Sequence, residues 1–143
     1  DIHRGKFPRL YTNFKDGFLK FDFIGYNEIK IEYNIPSSFF LRLKHKTLLG
    51  KIIPFGIKLN IPEFDKEYAL QNTSRETAIK VFDDYCREKI KALEPFYLFE
   101  ITNREYRLIK EAKINGDYCI KKGLEDITCL VEIVQHVKEI WNK

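Results

Sequence analysis

The chain has 143 residues, 44% of them hydrophobic and 32% charged, with a formal net charge of +4. That length suits one globular domain and excludes two. An aromatic content of 15%, with only 7 Gly and 5 Pro, excludes low-complexity disorder, and no apolar run approaches the ~18 residues that cross a membrane as a helix.

Residues 1–16 show no sustained periodicity and read as an extended N-terminal arm, which leaves 17–143 as a single domain. In Gly17–Ile24, Leu19, Phe21 and Phe23 alternate with Lys20 and Asp22, the period of a strand with one buried face. Gly25-Tyr26-Asn27 reads as a turn and Ile29–Ile35 repeats the alternation, so the two runs predict a hairpin ended by Pro36. Phe39–His45 predicts a third strand, with Phe39, Leu41 and Leu43 inward and Arg42 and Lys44 outward. Leu48–Gly56 is apolar but broken by two Gly and a Pro, which favours a loop or hairpin over a central strand, and Ile57–Ile61 reads as one more short strand.

Pro62–Leu70 reads as a tight turn feeding a strand, with Phe64 as its apolar anchor, Asp65 accepting from nearby backbone N–H groups, and Tyr68 and Leu70 inward. Thr73-Ser74-Arg75-Glu76 has the spacing of a capping box, in which Thr73 caps a helix and Glu76 reaches back. That helix carries Ala78, Ile79, Phe82, Tyr85, Cys86, Ile90 and Leu93 on one stripe and ends near Pro95. Its other face offers Glu76–Lys80 and Asp83–Arg87 pairs, worth ~0.2–0.5 kcal/mol each. Tyr97–Thr102 and Tyr106–Lys110 flank a short connection and predict a second hairpin, and Asn115-Gly116 marks a turn. Leu124, Ile127, Leu130, Val131, Val134, Val137 and Trp141 follow helical spacing, giving a closing helix of about five turns. The expected fold is α+β: a largely antiparallel sheet of about five to seven strands with two long helices packed on one face.

No residue pattern assigns a catalytic group, a metal or a cofactor. His3, His45 and His136 are scattered without metal-ligand spacing, and phosphate-loop, dinucleotide and nucleophile-elbow motifs do not occur. Cys86, Cys119 and Cys129 cannot all pair within one chain and none sits in C-x-x-C, which points to a reducing compartment and buried thiols. Cys129 and His136 fall two helical turns apart, about 10.5 Å, too far for a thiolate–imidazole pair. The acids Asp83-Asp84 and Glu125-Asp126 are neighbours in sequence and diverge on a helix.

Residues 1–60 carry 11 Lys/Arg against 5 Asp/Glu, whereas 61–143 carry 14 against 16. Within the basic half, Arg42, Lys44, Lys46 and Lys51 are candidate contacts for an anionic membrane surface. Nucleic acid is disfavoured, because the alternation puts Arg42 and Lys44 opposite Phe39 and Leu41 and leaves no aromatic platform beside the cations. The plainer reading is that these cations blunt an edge strand against aggregation.

The phrase Pro62-Glu63-Phe64-Asp65-Lys66-Glu67-Tyr68, the capped helix from Glu76 to Leu93 and the closing segment Leu124–Trp141 resemble the soluble domain of uncharacterised bacterial and archaeal membrane-anchored proteins that share a P-E-F-D-x-x-[FY] phrase. The resemblance spans residues 17–143. It implies fold and setting without an activity: Phe64, Asp65 and Tyr68 as structural residues beside the capping pair Thr73 and Glu76, and a domain held in the cytoplasm by membrane helices. The absence of Met, with Asp1 first, agrees with a piece of a longer protein. The function expected is a non-enzymatic interaction or regulatory domain for a protein partner, with an enzyme whose pocket sequence does not reveal as the alternative.

Overall fold

The computed structural model describes residues 9–24, 28–46, 56–111 and 120–142. Alternating side chains build its centre, a seven-stranded sheet formed by β1 (Arg9–Phe14), β2 (Gly17–Ile24), β3 (Glu28–Asn34), β4 (Leu41–His45), β5 (Tyr68–Gln71), β6 (Leu98–Ile101) and β7 (Tyr106–Glu111). The spatial order is β1-β2-β3-β7-β6-β4-β5, and every neighbouring pair is antiparallel. Between them the chain forms the helices α1 (Pro62–Glu67), α2 (Arg75–Val81), α3 (Asp84–Ala92) and α4 (Ile120–Trp141). The fold is α+β.

Register explains the layering. Phe21, Ile31, Leu108, Phe99, Leu43 and Leu70 are successive cross-strand partners, so one row of apolar side chains runs over six strands. Ile31, Leu108, Phe99, Leu43 and Leu70 are buried, as are Ala78, Val81, Ile90, Ile127, Leu130, Val134 and Val137 of the helices, and all belong to one core. A single buried Leu or Phe contributes about 1.5–3 kcal/mol relative to exposure, so this row and the helical stripe supply the bulk of the driving force.

The β2–β3 hairpin forms as expected, with Leu19 opposite Tyr33 and Phe21 opposite Ile31, and β6–β7 is the second hairpin. Several expectations need correction. The second half of the expected arm is a strand: Arg9–Phe14 pairs with β2 across a two-residue turn at Lys15 and Asp16. No alternation signals it because β1 lies at the edge, with five of its six residues exposed, so neither face needs a uniform polarity. At the end of that turn a Cβ on Gly17 would sit 2.6 Å from Ile35 Cδ1 and 2.8 Å from the Asn34 carbonyl, so only glycine fits.

Ile57–Ile61 is not a strand; Ile57 makes one isolated bridge to Leu70. The turn at Pro62 is instead the short helix α1, with Pro in its first turn. The long first helix is two helices. After Val81 the backbone leaves helical geometry at Phe82 (φ −93°, ψ 61°), and Asp83 restarts it by accepting the Cys86 N–H on its side chain. In consequence Ile79 and Tyr85 are exposed rather than part of one buried stripe. The cap of α2 is Ser74, not Thr73: the Ser74 hydroxyl accepts from the Thr77 N–H at 3.1 Å, three residues on, and Glu76 is exposed. Leu124, placed on the buried side of α4 by spacing, is 57% exposed. The turns at Gly25-Tyr26-Asn27 and Asn115-Gly116, residues 47–55 with Lys51, and Cys119 lie outside the described residues.

Candidate functional site

The outward half of the same alternation makes the most organised polar surface of the molecule. Tyr11, Lys20, Glu32, Arg107, Glu100, Arg42 and Gln71 are cross-strand partners in sequence across all seven strands, one residue out of step with the apolar row and therefore on the opposite face. Charges alternate along the middle five. Arg42 Nη2 lies 2.8 Å from Glu100 Oε2, Arg107 Nε 3.2 Å from Glu32 Oε2, and Arg107 Nη1 3.6 Å from Glu100 Oε1. Glu105 and Lys30 join the network through Arg107 and Glu32. The carboxylates of Glu32 and Glu100 are buried beneath, while the two guanidinium side chains are each about a third exposed. Burial pushes Glu32 upward, but its bond with Glu105 and the nearby Lys30 and Arg107 outweigh that and hold it below the ordinary carboxylate range; Glu105, desolvated and sharing that bond, is raised.

This arrangement changes the meaning of the basic stretch. Arg42 is committed to Glu100, Lys44 is exposed, and Lys46 follows the strand with its N–H bonded to the Glu67 carbonyl. β4 lies between β6 and β5, so these cations do not protect an edge. Arg42→Glu would replace the cation beside Glu100 by a second carboxylate and should cost roughly 1–2 kcal/mol, a figure reduced for the solvent reaching Arg42. Lys44→Glu should be close to neutral; urea denaturation of the two variants checks the difference.

Among the described residues, two clusters of titratable groups on the helix side include a histidine. At one end of β4, His45 Nε2 lies 2.6 Å from Glu94 Oε1, and the Tyr68 hydroxyl donates to Glu94 Oε2. His45, Tyr68 and Phe96 cluster at ring distances of 4.8–5.9 Å, with Tyr68 and Phe96 nearly parallel and His45 tilted against both. Burial first, then the Glu94 carboxylate, pushes the Tyr68 phenol far above its ordinary value, which removes it as a base or nucleophile near neutrality. Phe64 packs on Tyr68 and Phe82, and Asp65 accepts the N–H groups of Leu59 and Ile61 at 2.9 and 3.1 Å. Phe64, Asp65 and Tyr68 of the Pro62–Tyr68 phrase thus each make ring or hydrogen-bond contacts with the surrounding chain.

The second cluster escapes sequence reasoning because its parts are 50 residues apart. Asp83 and Cys86 share the first turn of α3, and His136 reaches them from α4 with Nε2 at 2.6 Å from Asp83 Oδ2. One donor atom from each of the three lies within 4.8 Å of the others. Cys86, rather than Cys129, is thus the thiol beside His136; Cys129 is also buried and donates to the Lys89 carbonyl at 3.2 Å. Burial, then the Asp83 charge, pushes the Cys86 thiol up to about 12. For Asp83, burial acts upward, but the Cys86 N–H and His136 prevail and its carboxyl is depressed. A depressed acid stabilises the fold above its unfolded pKa and loses that contribution as pH falls through the folded value. Asp83→Asn keeps a good cap, so it should lack part of the wild-type loss of stability below pH ~3.9, as measured by thermal unfolding against pH.

A shallow groove of about 700 Å³ between α3 and α4 is lined by Lys89, Leu124, Thr128, Cys129 and Glu132 among others, and its walls are bridged by Lys89 Nζ and Glu132 at 3.0 Å. Among the described residues no helix is long and apolar enough to cross a membrane.

No protein-family model and no curated protein matches the chain. Among solved structures it is similar to the crystal structure of the mycobacterial trehalose monomycolate transport factor A, TtfA, with a TM-score of 0.60 over 92% of this chain and 71% of that chain, at 7% sequence identity. At that identity the likeness is one of fold.

Proposed function

We propose that this chain is a non-enzymatic interaction domain of a membrane-anchored protein, displayed in the cytoplasm, and that it receives a protein partner on the open face of its sheet. The carrying observation is the row of alternating charges over the five central strands β2, β3, β7, β6 and β4, whose ion pairs close within the sheet and its turns. A face of fixed, mutually compensated charges favours a partner of matching mixed charge, since recognition by paired charges acts mainly through specificity and register. It disfavours a lipid surface, which attracts uncompensated cations. The protein of similar fold is named a transport factor, in keeping with a non-enzymatic role.

Photo-crosslinking residues placed at Lys20, Lys30 and Lys44 on the sheet face, and at Ile79 and Glu88 on the helix face, test the reading in cells making the whole protein. One protein adduct common to the three sheet positions and absent from the helix positions is the expected result. Lipid adducts alone, no adduct on the sheet, or adducts confined to the helices would overturn it.

A further inference from the structure

We propose that Asp83, Cys86 and His136 form a binding site for a thiophilic divalent cation, best matched by zinc. The three residues offer one oxygen, one sulfur and one nitrogen donor, the mixed set that suits a borderline-soft ion and does not suit magnesium or calcium. Their donor atoms already lie within 4.8 Å of one another. Tetrahedral ligands at the usual zinc distances of ~2.0–2.3 Å stand roughly 3.3–3.8 Å apart, so loading the site opens the 2.6 Å His136–Asp83 contact by about an ångström and draws in a donor pair standing near the 4.8 Å limit by a similar amount.

The backbone around the site is fixed by other interactions. Asp83, the cap of α3, stands three residues before Cys86 in its first turn, and the Cys86 N–H already holds Asp83 Oδ1 at 3.0 Å, leaving Oδ2 directed at His136. His136 is steadied by the Tyr85 ring, 4.3 Å away by centroids. The sulfur forms the buried floor, whereas Asp83 and His136 are partly exposed, so the fourth position faces water. On binding, the Cys86 thiol gives its proton to solvent and His136 binds as neutral imidazole. The thiolate and carboxylate then cancel the charge of the ion, and the half-buried site is neutral when filled.

Titration of the tagless, reduced protein with Co²⁺ tests this, because cobalt bound by a thiolate shows a sulfur-to-metal charge-transfer absorption. The wild type should take up a single Co²⁺ per chain with that absorption, release it to Zn²⁺, and gain thermal stability with Zn²⁺. Cys86→Ser should abolish the absorption, and the double variant Cys119→Ser, Cys129→Ser should keep it. Asp83→Asn, which retains the helix cap, should weaken binding by at least the ~10-fold that loss of even an outer partner costs. Circular dichroism confirms that each variant is folded, and the wild-type and Asp83→Asn results stand if Cys86→Ser is not. Absence of the absorption in the wild type, its survival in folded Cys86→Ser, or unchanged affinity in Asp83→Asn would overturn the proposal.

Discussion

Lys110→Ala will lower the stability of the domain by about 3–5 kcal/mol, the usual cost of breaking a buried ion pair from one side. Lys110 and Asp126 are 0% and 1% exposed. The Lys110 ammonium donates to Asp126 Oδ2 at 2.8 Å and to the Leu93 carbonyl at 2.7 Å, where α3 ends. One side chain on β7 thus ties the end of one helix to the start of another. Burial pulls the Lys110 pKa below the ordinary lysine range against the opposing pull of Asp126, a sign that removal from water outweighs the attraction. The paired variant Lys110→Met, Asp126→Leu should therefore recover most of the loss, because it removes both fully buried charges together; Lys122, which lies 3.2 Å from Asp126 Oδ1 and is about a third exposed, can turn to water. Urea denaturation of the single and paired variants measures both effects; a paired variant as unstable as Lys110→Ala would show that the ion pair itself stabilises the fold.

Phe82→Ala is expected to cost about 3–5 kcal/mol, the range for truncating a buried phenylalanine. Phe82 is 2% exposed and its ring lies 5.4 Å from that of Phe64. Its carbonyl accepts from Arg87 Nη1 at 2.7 Å, in the break between α2 and α3. The ring anchors the break to the core through the Pro62–Tyr68 phrase, and the break in turn sets Asp83 opposite His136. Phe82→Leu, which keeps most of the volume, should cost less than ~1.5 kcal/mol. Equal losses in the two variants, measured by the same denaturation, would show that the aromatic shape rather than the filled volume matters.

The sheet was legible where one face meets the core and the other meets water. Leu19, Phe21, Ile29, Ile31, Leu41 and Leu43 alternate with charged neighbours because β2, β3 and β4 each bury one face. β1 gives no such signal, since an edge strand with both faces exposed is under no demand to alternate. The helix break was harder to see for a related reason. The apolar spacing from Ala78 to Leu93 continues through it, and Asp83 looks like a surface acid until the chain turns and its side chain caps α3. Lys110 did carry a signal: it shares the parity of Tyr106 and Leu108, so the strand pattern places an ammonium on the buried face, where it needs a partner.

By itself, then, the sequence determined the local preferences: period-two strands, the amphipathic closing helix, the bonds of Asp65 to nearby backbone N–H groups and the absence of any contiguous motif. These depend on neighbours within about one helical turn or one strand, and such neighbours are written in order along the chain. Tertiary structure alone decided the strand order, which brings Arg42 to Glu100 and converts a basic stretch into one link of a balanced ladder. It alone also brought His136 to Asp83 and Cys86. Pairings between residues some 50 positions apart follow from how the helices and the strands β2 to β7 share one core, and that packing is a property of the whole chain rather than of any segment.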